Sequence, residues 1–534
     1  MKKYLILLAL PFCASMVNGQ DATQSKYAAT ITAADLSKHL NIIASDEYAG
    51  RETGKEGYNM AADYLVKEFK SYGIKGIPAI DGYFQKVPLI KSVWNHKKIY
   101  INQKENKFGE DFYALPGTEL DVTTNDIAFA GYGIYSENYN DFEEIDVKDK
   151  LVLMFNGEPK NAKGKYAVTM SEEPSSFGRS YRAKLDSIKA WGATGLLVID
   201  EDIEKNTKRF GPYLNHDRIS WPDSETPFPV VYISPEMANK MVIFNKSALT
   251  KLKENIGEDS KDLYLFDLKN KINKRLKPNS FYVNMTVKID ITQYQNEIDT
   301  KNVLGFIEGT DLKDEVIVIS AHLDHIGSED GEVFNGADDD GSGSVGLIEL
   351  AQAFMTAKKD GKGPRRSILI LAVTGEEKGL LGSSYYASNP VFPLSNTIAD
   401  LNIDMIGRVD DAHKDNSNYI YVIGSDKLST ELHDINEKAN ELYTKLDLDY
   451  TYNDPKDKNR YYYRSDHYNF AKNNIPIIFY FNGVHDDYHK ASDTVDKINF
   501  EALQNRTRLV FHTAWQLANQ DKRIEVNVEN DFKN

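Results

Sequence analysis

From about residue 301 onward, apolar residues come in short continuous runs rather than in an alternating pattern. Continuous runs of this length are typical of strands buried on both faces of a helix-covered sheet. Between two of these runs, Leu347, Leu350, Ala351 and Phe354 recur at helical spacing and predict a helix over 341–360. The pattern therefore predicts an α/β fold in which helices sandwich a sheet. The runs are VIVIS (316–320), ILILAV (368–373), DLNID (400–404) and IPIIFYF (475–481).

Two earlier regions have different patterns. Ala61, Leu65 and Phe69 lie at helical spacing, and Gly73 is expected to end that helix. Between about 115 and 287, short strand-like runs alternate with polar stretches, and no His or acidic residues cluster there at the spacing of metal ligands. We therefore predict a separate, non-catalytic and β-rich domain inserted into the first one.

Length and charge narrow the possible functions. The chain of 534 residues is too long for one core, so two or three domains are expected. A formal net charge of −16 argues against nucleic acid and anionic membranes as partners. After the N-terminal segment, no stretch is apolar for long enough to predict a membrane span.

The N-terminal segment predicts export. Residues 1–19 combine Lys2 and Lys3 with a short apolar stretch and small residues, which is typical of a cleaved signal peptide. The protein is therefore expected in the periplasm or outside the cell. Cys13, the only cysteine, lies in this segment, so the exported chain would have no disulfide and no thiolate ligand.

Side chains that can bind metals accompany every predicted strand of the second half of the chain. In open α/β sheets, ligands bind beyond the carboxyl ends of the strands, so these side chains are expected to meet at one edge. Imidazole and carboxylate groups without thiolate suit catalytic Zn²⁺, with Mn²⁺ or Co²⁺ as substitutes. More carboxylates are present than one ion needs, so two zinc ions per chain are expected. The segments are HLDH (322–325), GADDDGSG (336–343), EE (376–377), Asp404 and DDYH (486–489).

The order of these motifs is that of the co-catalytic di-zinc aminopeptidases, and the chain resembles this family. Bacterial leucyl aminopeptidase is a member, and glutamate carboxypeptidase II, the transferrin receptor ectodomain and glutaminyl cyclase are relatives. The resemblance implies the zinc exopeptidase fold, with a mixed, mostly parallel sheet sandwiched by helices. The motifs that carry it are HLD (322–324), GADDDGSG, TGEE (374–377), NID (402–404) and YH (488–489).

The middle region resembles the protease-associated domain of many family members, in the segments FAGYGI (129–134), KDKLVLMFNGEP (148–159) and AWGATGLLVI (190–199). The implied organisation is a peptidase domain formed by 20–114 and 288–534, with a protease-associated domain inserted at 115–287.

The resemblance also implies a role for each motif residue. Glu376 would be the general base, and Asp324 would accept a hydrogen bond from the far nitrogen of His322 and so fix its tautomer. A cis peptide bond is expected after Asp339. The implied metal ligands are Asp339 as the bridge between both ions, His322 and Asp404 at one ion, and Glu377 and His489 at the other.

Neighbouring residues compete for some of these roles. Asp338 or Asp340 could take the place of Asp339, although the family register favours Asp339. We expect His325 to be a loop residue rather than a ligand, and His467 to be a bystander.

A tyrosine is expected to donate a hydrogen bond to the oxyanion that develops during catalysis. Relatives place a tyrosine three residues before Ser-Asp-His, which predicts Tyr462 for this role. Tyr488, beside His489, is the competing candidate. Asp466, in the Ser-Asp-His motif, is expected to orient the loop.

The expected function is an exported metallo-aminopeptidase that removes the N-terminal residue from peptides with a free N-terminus. A zinc-activated water and a Glu general base would perform the hydrolysis. An enzyme like glutamate carboxypeptidase would instead need arginines for the C-terminal carboxylate of its substrate, and Arg408 and Arg464 are available. A glutaminyl cyclase or a non-catalytic receptor would lack ligands that are present here. The sequence predicts neither the oligomeric state nor the preferred substrate side chain.

Overall fold

The computed structural model describes residues 21–80, 82–242, 264–283 and 285–530. The predicted signal peptide at 1–19 lies outside the described residues. The chain forms two compact units, one made of the described residues up to Pro88 together with those from Asp299 onward, and one made of Leu89–Ile298. None of the helices in the described ranges has both the length and the apolar character needed to cross a membrane.

The helices of the described residues are numbered here in chain order. They are α1 (Ala22–Ala28), α2 (Ala33–Ile43), α3 (Glu56–Tyr72), α4 (Ser176–Arg179), α5 (Arg182–Ala190), α6 (Ile203–Asn215), α7 (Pro235–Val242), α8 (Tyr264–Arg275), α9 (Gly343–Lys359), α10 (Leu381–Ser388), α11 (Thr430–Ala439), α12 (His467–Ala471) and α13 (Phe500–Asn519).

The strands are numbered in the same way. They are β1 (Phe84–Lys86), β2 (Leu89–Ile101), β3 (Lys104–Asn106), β4 (Phe112–Ala114), β5 (Leu120–Thr124), β6 (Ile127–Ala130), β7 (Leu151–Phe155), β8 (Gly195–Ile199), β9 (Arg218–Ser220), β10 (Val230–Ile233), β11 (Ser280–Val283), β12 (Val287–Ile298), β13 (Lys301–Ile307), β14 (Leu312–His322), β15 (Gly327–Glu329), β16 (Glu332–Phe334), β17 (Arg366–Val373), β18 (Thr397–Ile403), β19 (Tyr419–Ile423), β20 (Asp447–Asp449) and β21 (Ile477–Phe481).

The first unit is built on an eight-stranded sheet in the order β1-β13-β17-β14-β18-β21-β19-β20. The central strands β17, β14, β18 and β21 are parallel to one another. Strands β1, β13 and β19 each run antiparallel to a neighbour. The four apolar runs predicted as strands form β14, β17, β18 and β21. The predicted fold class, a mixed α/β arrangement with a mostly parallel sheet, is therefore confirmed.

Helices cover both faces of this sheet. Ile317 of β14 lies in the core on one face, which also contains Phe354 of α9 and side chains of α2, α3 and α13. Val318, the next residue, lies in the core on the opposite face, which contains Phe470 of α12. Because successive side chains of a strand point to opposite faces, a strand buried on both sides is apolar at every position. That is the reason for the continuous runs in the sequence.

The second unit, Leu89–Ile298, contains two sheets. One has the strand order β11-β6-β7-β8-β10-β4, and the other has the order β3-β2-β12-β5 with β9 also paired to β2. The long strands β2 and β12 pair from end to end, with Leu89 opposite Ile298. The bounds predicted from the pattern of short strand-like runs were residues 115 and 287. The observed unit starts before residue 115 and ends after residue 287. Its likeness to a protease-associated domain stays a prediction.

Candidate metal centre

The parallel strands of the first unit bring the predicted site residues to one edge of the sheet. His322 is the last residue of β14, and Asp404 directly follows β18. Glu376 and Glu377 follow β17 after a turn at Gly375, which adopts a positive φ of 67°. Since β17, β14 and β18 are neighbours and run in the same direction, their carboxyl ends lie side by side.

Two sets of donor atoms share the Asp339 carboxylate. Nε2 of His322 lies 3.2 Å from Oδ1 of Asp339 and 3.5 Å from Oδ1 of Asp404. Nε2 of His489 lies 3.1 Å from Oδ2 of Asp339 and 3.1 Å from Oε2 of Glu377. Each oxygen of Asp339 thus faces a different histidine, which is the arrangement expected of a bridging ligand.

The other two aspartates of the triplet have different partners. Asp338 accepts hydrogen bonds from the backbone N–H of Gly407 at 2.6 Å and contacts Nε2 of His485 at 3.2 Å. Asp340 accepts hydrogen bonds from the backbone N–H groups of Gly343 and Met405. Neither carboxylate belongs to a group of potential metal donors among the described residues, whereas Asp339 belongs to two. The bond between Asp339 and Asp340 is cis, as the family resemblance implies.

Buried polar side chains hold the turn that carries Asp339. The carboxylate of Asp493 accepts hydrogen bonds from the backbone N–H groups of Asp338 and Asp339. Gly336 has a φ of 53°, and a Cβ at this position would lie 2.2 Å from the carbonyl oxygen of Asp339. The buried guanidinium of Arg51 donates to the carbonyls of Leu323, Ile43, Asn335 and Gly336, so it joins this turn to the end of β14. The turn that carries Asp339 is therefore held by several buried hydrogen bonds.

The hydrogen bond of His322 differs from the prediction. Its Nδ1–H donates to the backbone carbonyl of Asp324 at 2.9 Å, not to the carboxylate. The Asp324 carboxylate instead accepts from Oγ1 of Thr53 at 2.8 Å and from the backbone N–H of Glu376 at 3.2 Å. The His322 tautomer is thus set by a carbonyl, while the Asp324 side chain holds the loop that carries Glu376.

The tyrosine predicted as oxyanion donor lies elsewhere. One cleft is lined by His322, Asp339, Glu376 and Asp404, and its tyrosines are Tyr461 and Tyr488. Tyr462 lines a different surface cleft, beside Lys427 and Asp457. Its ring packs next to Gly424, where an added Cβ would lie 2.9 Å from Cε2 of Tyr462. The structure therefore does not bring Tyr462 to the candidate ligands, and it does bring Tyr488, whose ring stacks on His489 at 3.9 Å.

His325, which was expected to be a loop residue, lies beside two of the candidate ligands. Its ring is fully buried, and Nδ1 lies 3.0 Å from Oε1 of Glu377 and 3.7 Å from Oδ2 of Asp339. Together these three residues offer donor atoms close enough to hold a metal ion. The signal was present in the sequence, because His325 follows His322 and Asp324 in one short loop.

Comparison with known proteins assigns this part of the chain to a family. Residues 302–514, which contain all the candidate ligands, match the profile of peptidase family M28. This segment belongs to peptidase family M28. The predicted recognition is confirmed, since aminopeptidases are among the similar proteins.

Relatives of the M28 segment have two kinds of names. A probable leucine aminopeptidase of Arthroderma otae is 29% identical over 213 residues, which are 38% of this chain and 55% of that protein. Aminopeptidase Y of Saccharomyces cerevisiae is 25% identical over 268 residues, 46% of this chain and 44% of that protein. A probable glutamate carboxypeptidase of Arthroderma benhamiae is 37% identical over 105 residues, 20% of this chain and 14% of that protein. The matches span about half or less of these curated relatives.

Solved structures show the same fold over nearly the whole chain. An aminopeptidase from Aneurinibacillus sp. strain AM-1 is 17% identical with a TM-score of 0.56, and the match covers 95% of this chain and 98% of that one. BSAP, a zinc aminopeptidase from Bacillus subtilis, is 16% identical with a TM-score of 0.51. The match covers 93% of this chain and 99% of that one. At sequence identities this low, the similarity to these structures shows the fold alone.

The two adjacent glutamates of the M28 site have pKa values that are shifted in opposite directions. Burial raises the pKa of Glu376 well above its usual range, and the neighbouring Glu377 and Asp404 carboxylates raise it further. Burial acts on Glu377 in the same direction, but the imidazoles of His325 and His489 hold its pKa at about 2. Two carboxylates whose pKa values are driven apart can serve different chemical roles.

The donor atoms suit zinc. Within the described ranges, Nε2 of His322, Nε2 of His489 and Oδ2 of Asp339 are buried and make no hydrogen bond of good geometry. Leaving such atoms unsatisfied is unfavourable unless a ligand or ion pairs with them. Imidazole nitrogens and carboxylate oxygens, three to a set, are the donors that catalytic zinc prefers. The residues present therefore fit the metal that the family implies.

Proposed function

We propose that this chain is an exported metallo-aminopeptidase that holds two zinc ions and hydrolyses the peptide bond after a free N-terminal residue. The two His–carboxylate donor sets that share Asp339, with Glu376 lining the same cleft, carry the proposal. Export rests on the predicted signal peptide at 1–19. The aminopeptidase names among the relatives support a free N-terminus as the recognised group.

In this proposal each ion has its own residues. His322 and Asp404 would hold one zinc, His489 and Glu377 would hold the other, and Asp339 would serve both. When bound, the zinc pair supplies a water of lowered pKa and polarises the scissile carbonyl. The remaining steps belong to side chains of the protein.

Glu376 is the proton carrier of the proposed reaction. It lines the cleft beside both donor sets but belongs to neither of them. Its carboxylate takes the proton from the attacking water and then gives it to the amine that leaves. The Asp324 carboxylate, which accepts the backbone N–H of Glu376, positions this base.

Tyr488 is the proposed oxyanion donor in place of Tyr462. Burial raises the pKa of its phenol, and the carboxylates of Asp339, Glu377, Glu376 and Asp404 raise it further. The hydroxyl therefore stays protonated at neutral pH and can donate to the carbonyl oxygen as negative charge develops there.

The experiment that tests this function compares aminoacyl-p-nitroanilides with their N-acetylated forms, using the purified mature protein. Each is assayed before chelation, after chelation and after zinc is restored. We expect loss of turnover with chelator, recovery with zinc, and no turnover of the acetylated forms. Turnover that is unaffected when the metal has been removed would contradict the proposal.

A carboxypeptidase like the relatives named glutamate carboxypeptidase is the second candidate. It is favoured by one observation, the presence of Arg464 in the cleft. Arg408, the other arginine considered, is paired with Asp487 at 2.9 Å. Chelator-sensitive cleavage of blocked peptides, without cleavage of unblocked anilides, would select this candidate. A protein that binds two zinc ions and cleaves neither class would act on a substrate outside both classes.

His325 is expected to hold Glu377 for the second ion. Its Nδ1–H donates to Oε1 of Glu377 and leaves Oε2, the oxygen nearest His489, for the metal. Replacing His325 by glutamine should weaken the second zinc about 10- to 100-fold and leave the first unchanged. Stepwise zinc titration of the metal-free protein measures both affinities.

The matched control for this prediction is His485→Gln. His485 is also a buried histidine that contacts a carboxylate of the same turn, but its partner Asp338 is not a proposed ligand. Equal effects of the two substitutions on the second zinc would show that His325 acts only through general stability.

A further inference from the structure

The cleft that contains the candidate metal centre has an apolar wall. Besides the metal-binding and catalytic candidates, it is lined by Met405, Phe479, Phe481 and Val484. The ring centroids of Phe479 and Phe481 lie 5.2 Å apart, and those of Tyr461 and Phe481 lie 5.1 Å apart. Such a wall suits an aliphatic or aromatic side chain of a substrate, because burying that side chain removes apolar surface from water.

Arg464 is the cation at the border of this wall. It lines the same cleft as Glu376 and Asp404, and its guanidinium lies over the ring of Tyr461 at 4.9 Å from the centroid. The side chain is exposed, and within the described residues it forms no ion pair with a carboxylate. Arg408, by contrast, already has Asp487 as its partner at 2.9 Å. The guanidinium of Arg464 is therefore available to a ligand.

The carboxylates of the site do not need Arg464 as a counter-ion once the metals are bound. Two divalent cations would offset the charges of the proposed ligands Asp339, Glu377 and Asp404. A planar guanidinium that rests on an aromatic ring is held in place and offers paired N–H donors, which match the geometry of a carboxylate.

We propose that Arg464 binds a carboxylate of the substrate close to the scissile bond. The preferred substrates would then be peptides with an apolar N-terminal residue, placed against the Phe479–Phe481 wall, followed by a residue that carries a negative charge. This inference rests on the proposed aminopeptidase function. The carboxylate can come from the C-terminus of a dipeptide or from an acidic second side chain, and these two sources share the same chemistry.

Two matched substrate pairs distinguish the sources. Leu-Leu against Leu-leucinamide tests the C-terminal carboxylate, and Leu-Glu-amide against Leu-Gln-amide tests the side chain. The zinc-loaded protein is assayed for leucine release with each. In at least one pair we expect kcat/KM to be about 10-fold higher for the charged member, the size of a hydrogen-bonded ion pair.

Three variants test the residue. Arg464→Gln should lower kcat/KM about 10-fold on the favoured charged peptide and leave its neutral partner within about twofold. Arg464→Lys keeps the positive charge but lacks the paired N–H donors of the guanidinium. It should retain part of the preference for the charged peptide. Arg460→Gln is the control, because Arg460 lies over Tyr463 in the same segment but lines the other cleft. It should behave like the unmodified protein.

Each outcome decides the inference. A charge preference that disappears only in Arg464→Gln supports it. The absence of a preference in the unmodified protein, or an equal loss on charged and neutral peptides in Arg464→Gln, overturns it while neutral Leu-leucinamide is still cleaved. If Leu-leucinamide is not cleaved by the unmodified zinc-loaded protein, the proposed function itself fails, and the inference fails with it.

Discussion

Replacing Asp339 by asparagine is expected to remove both zinc ions and to lower turnover by at least about 10⁴-fold. Each oxygen of Asp339 faces a different histidine, His322 at 3.2 Å and His489 at 3.1 Å, so one side chain serves both donor sets. Asparagine keeps the size of the side chain but offers only one weakly basic oxygen and places an N–H₂ donor where the second ion would bind. Metal content per chain and kcat/KM on a leucyl anilide measure the two effects.

The neighbouring aspartates provide the controls for this experiment. Asp338 and Asp340 belong to the same turn and are equally buried, but they accept hydrogen bonds from backbone N–H groups. Asp338→Asn should lower the free energy of unfolding by about 1–3 kcal/mol and still allow both ions to bind. If Asp339→Asn retained two zinc ions, or if Asp338→Asn lost them equally, the bridging role of Asp339 would be wrong.

The position of the site could be predicted from the sequence because it follows from strand periodicity. Strands buried on both faces appear as continuous apolar runs, and the residue after each run lies at the carboxyl edge of the sheet. His322 and Asp404 are placed by this rule alone, without any knowledge of loop structure. The helix that ends at Tyr72, with Gly73 in a left-handed conformation, was predictable for the same kind of reason, since spacing and glycine both mark helix ends.

Several details that could not be predicted concern side-chain direction in loops. The Asp324 side chain points to Thr53 and Glu376 rather than to His322, and nothing in the local spacing determines this choice. Three tyrosines in a row, 461–463, differ only in which way each points, and the structure places Tyr461 but not Tyr462 in the cleft with Glu376. Periodicity describes helices and strands, whereas loop side chains are directed by contacts with distant segments.

The bounds of the second unit illustrate the same limit at a larger scale. Strand β2 alternates buried and partly buried positions in part of its length. It is paired with β12, which is almost two hundred residues away in the chain. The pairing is a long-range contact that the local pattern of apolar and polar residues does not show. The change of this pattern near residue 115 therefore lies inside the unit and not at its border.

Replacing Glu376 by glutamine is expected to lower kcat by about 10²- to 10⁴-fold and to leave both zinc ions in place. The amide has the same size as the carboxylate, so packing and metal ligands are preserved, but it cannot accept a proton from water or carry one to the leaving amine. KM should change little, because Glu376 acts on the transition state. Stopped assays at saturating substrate, together with metal analysis, measure these quantities.

Glu377→Gln separates this effect from loss of metal. Glu377 is adjacent in the chain, but it contacts His489 at 3.1 Å and His325 at 3.0 Å and is proposed to hold the second ion. Its substitution should therefore lower zinc content and activity together, and excess zinc should restore part of the activity. No amount of zinc should restore Glu376→Gln, because what that variant lacks is a proton carrier. Activity near the unmodified level in fully loaded Glu376→Gln would show that another group moves the proton. Tyr488 would then be the first residue to replace, since its phenol lines the cleft and its ring stacks on His489.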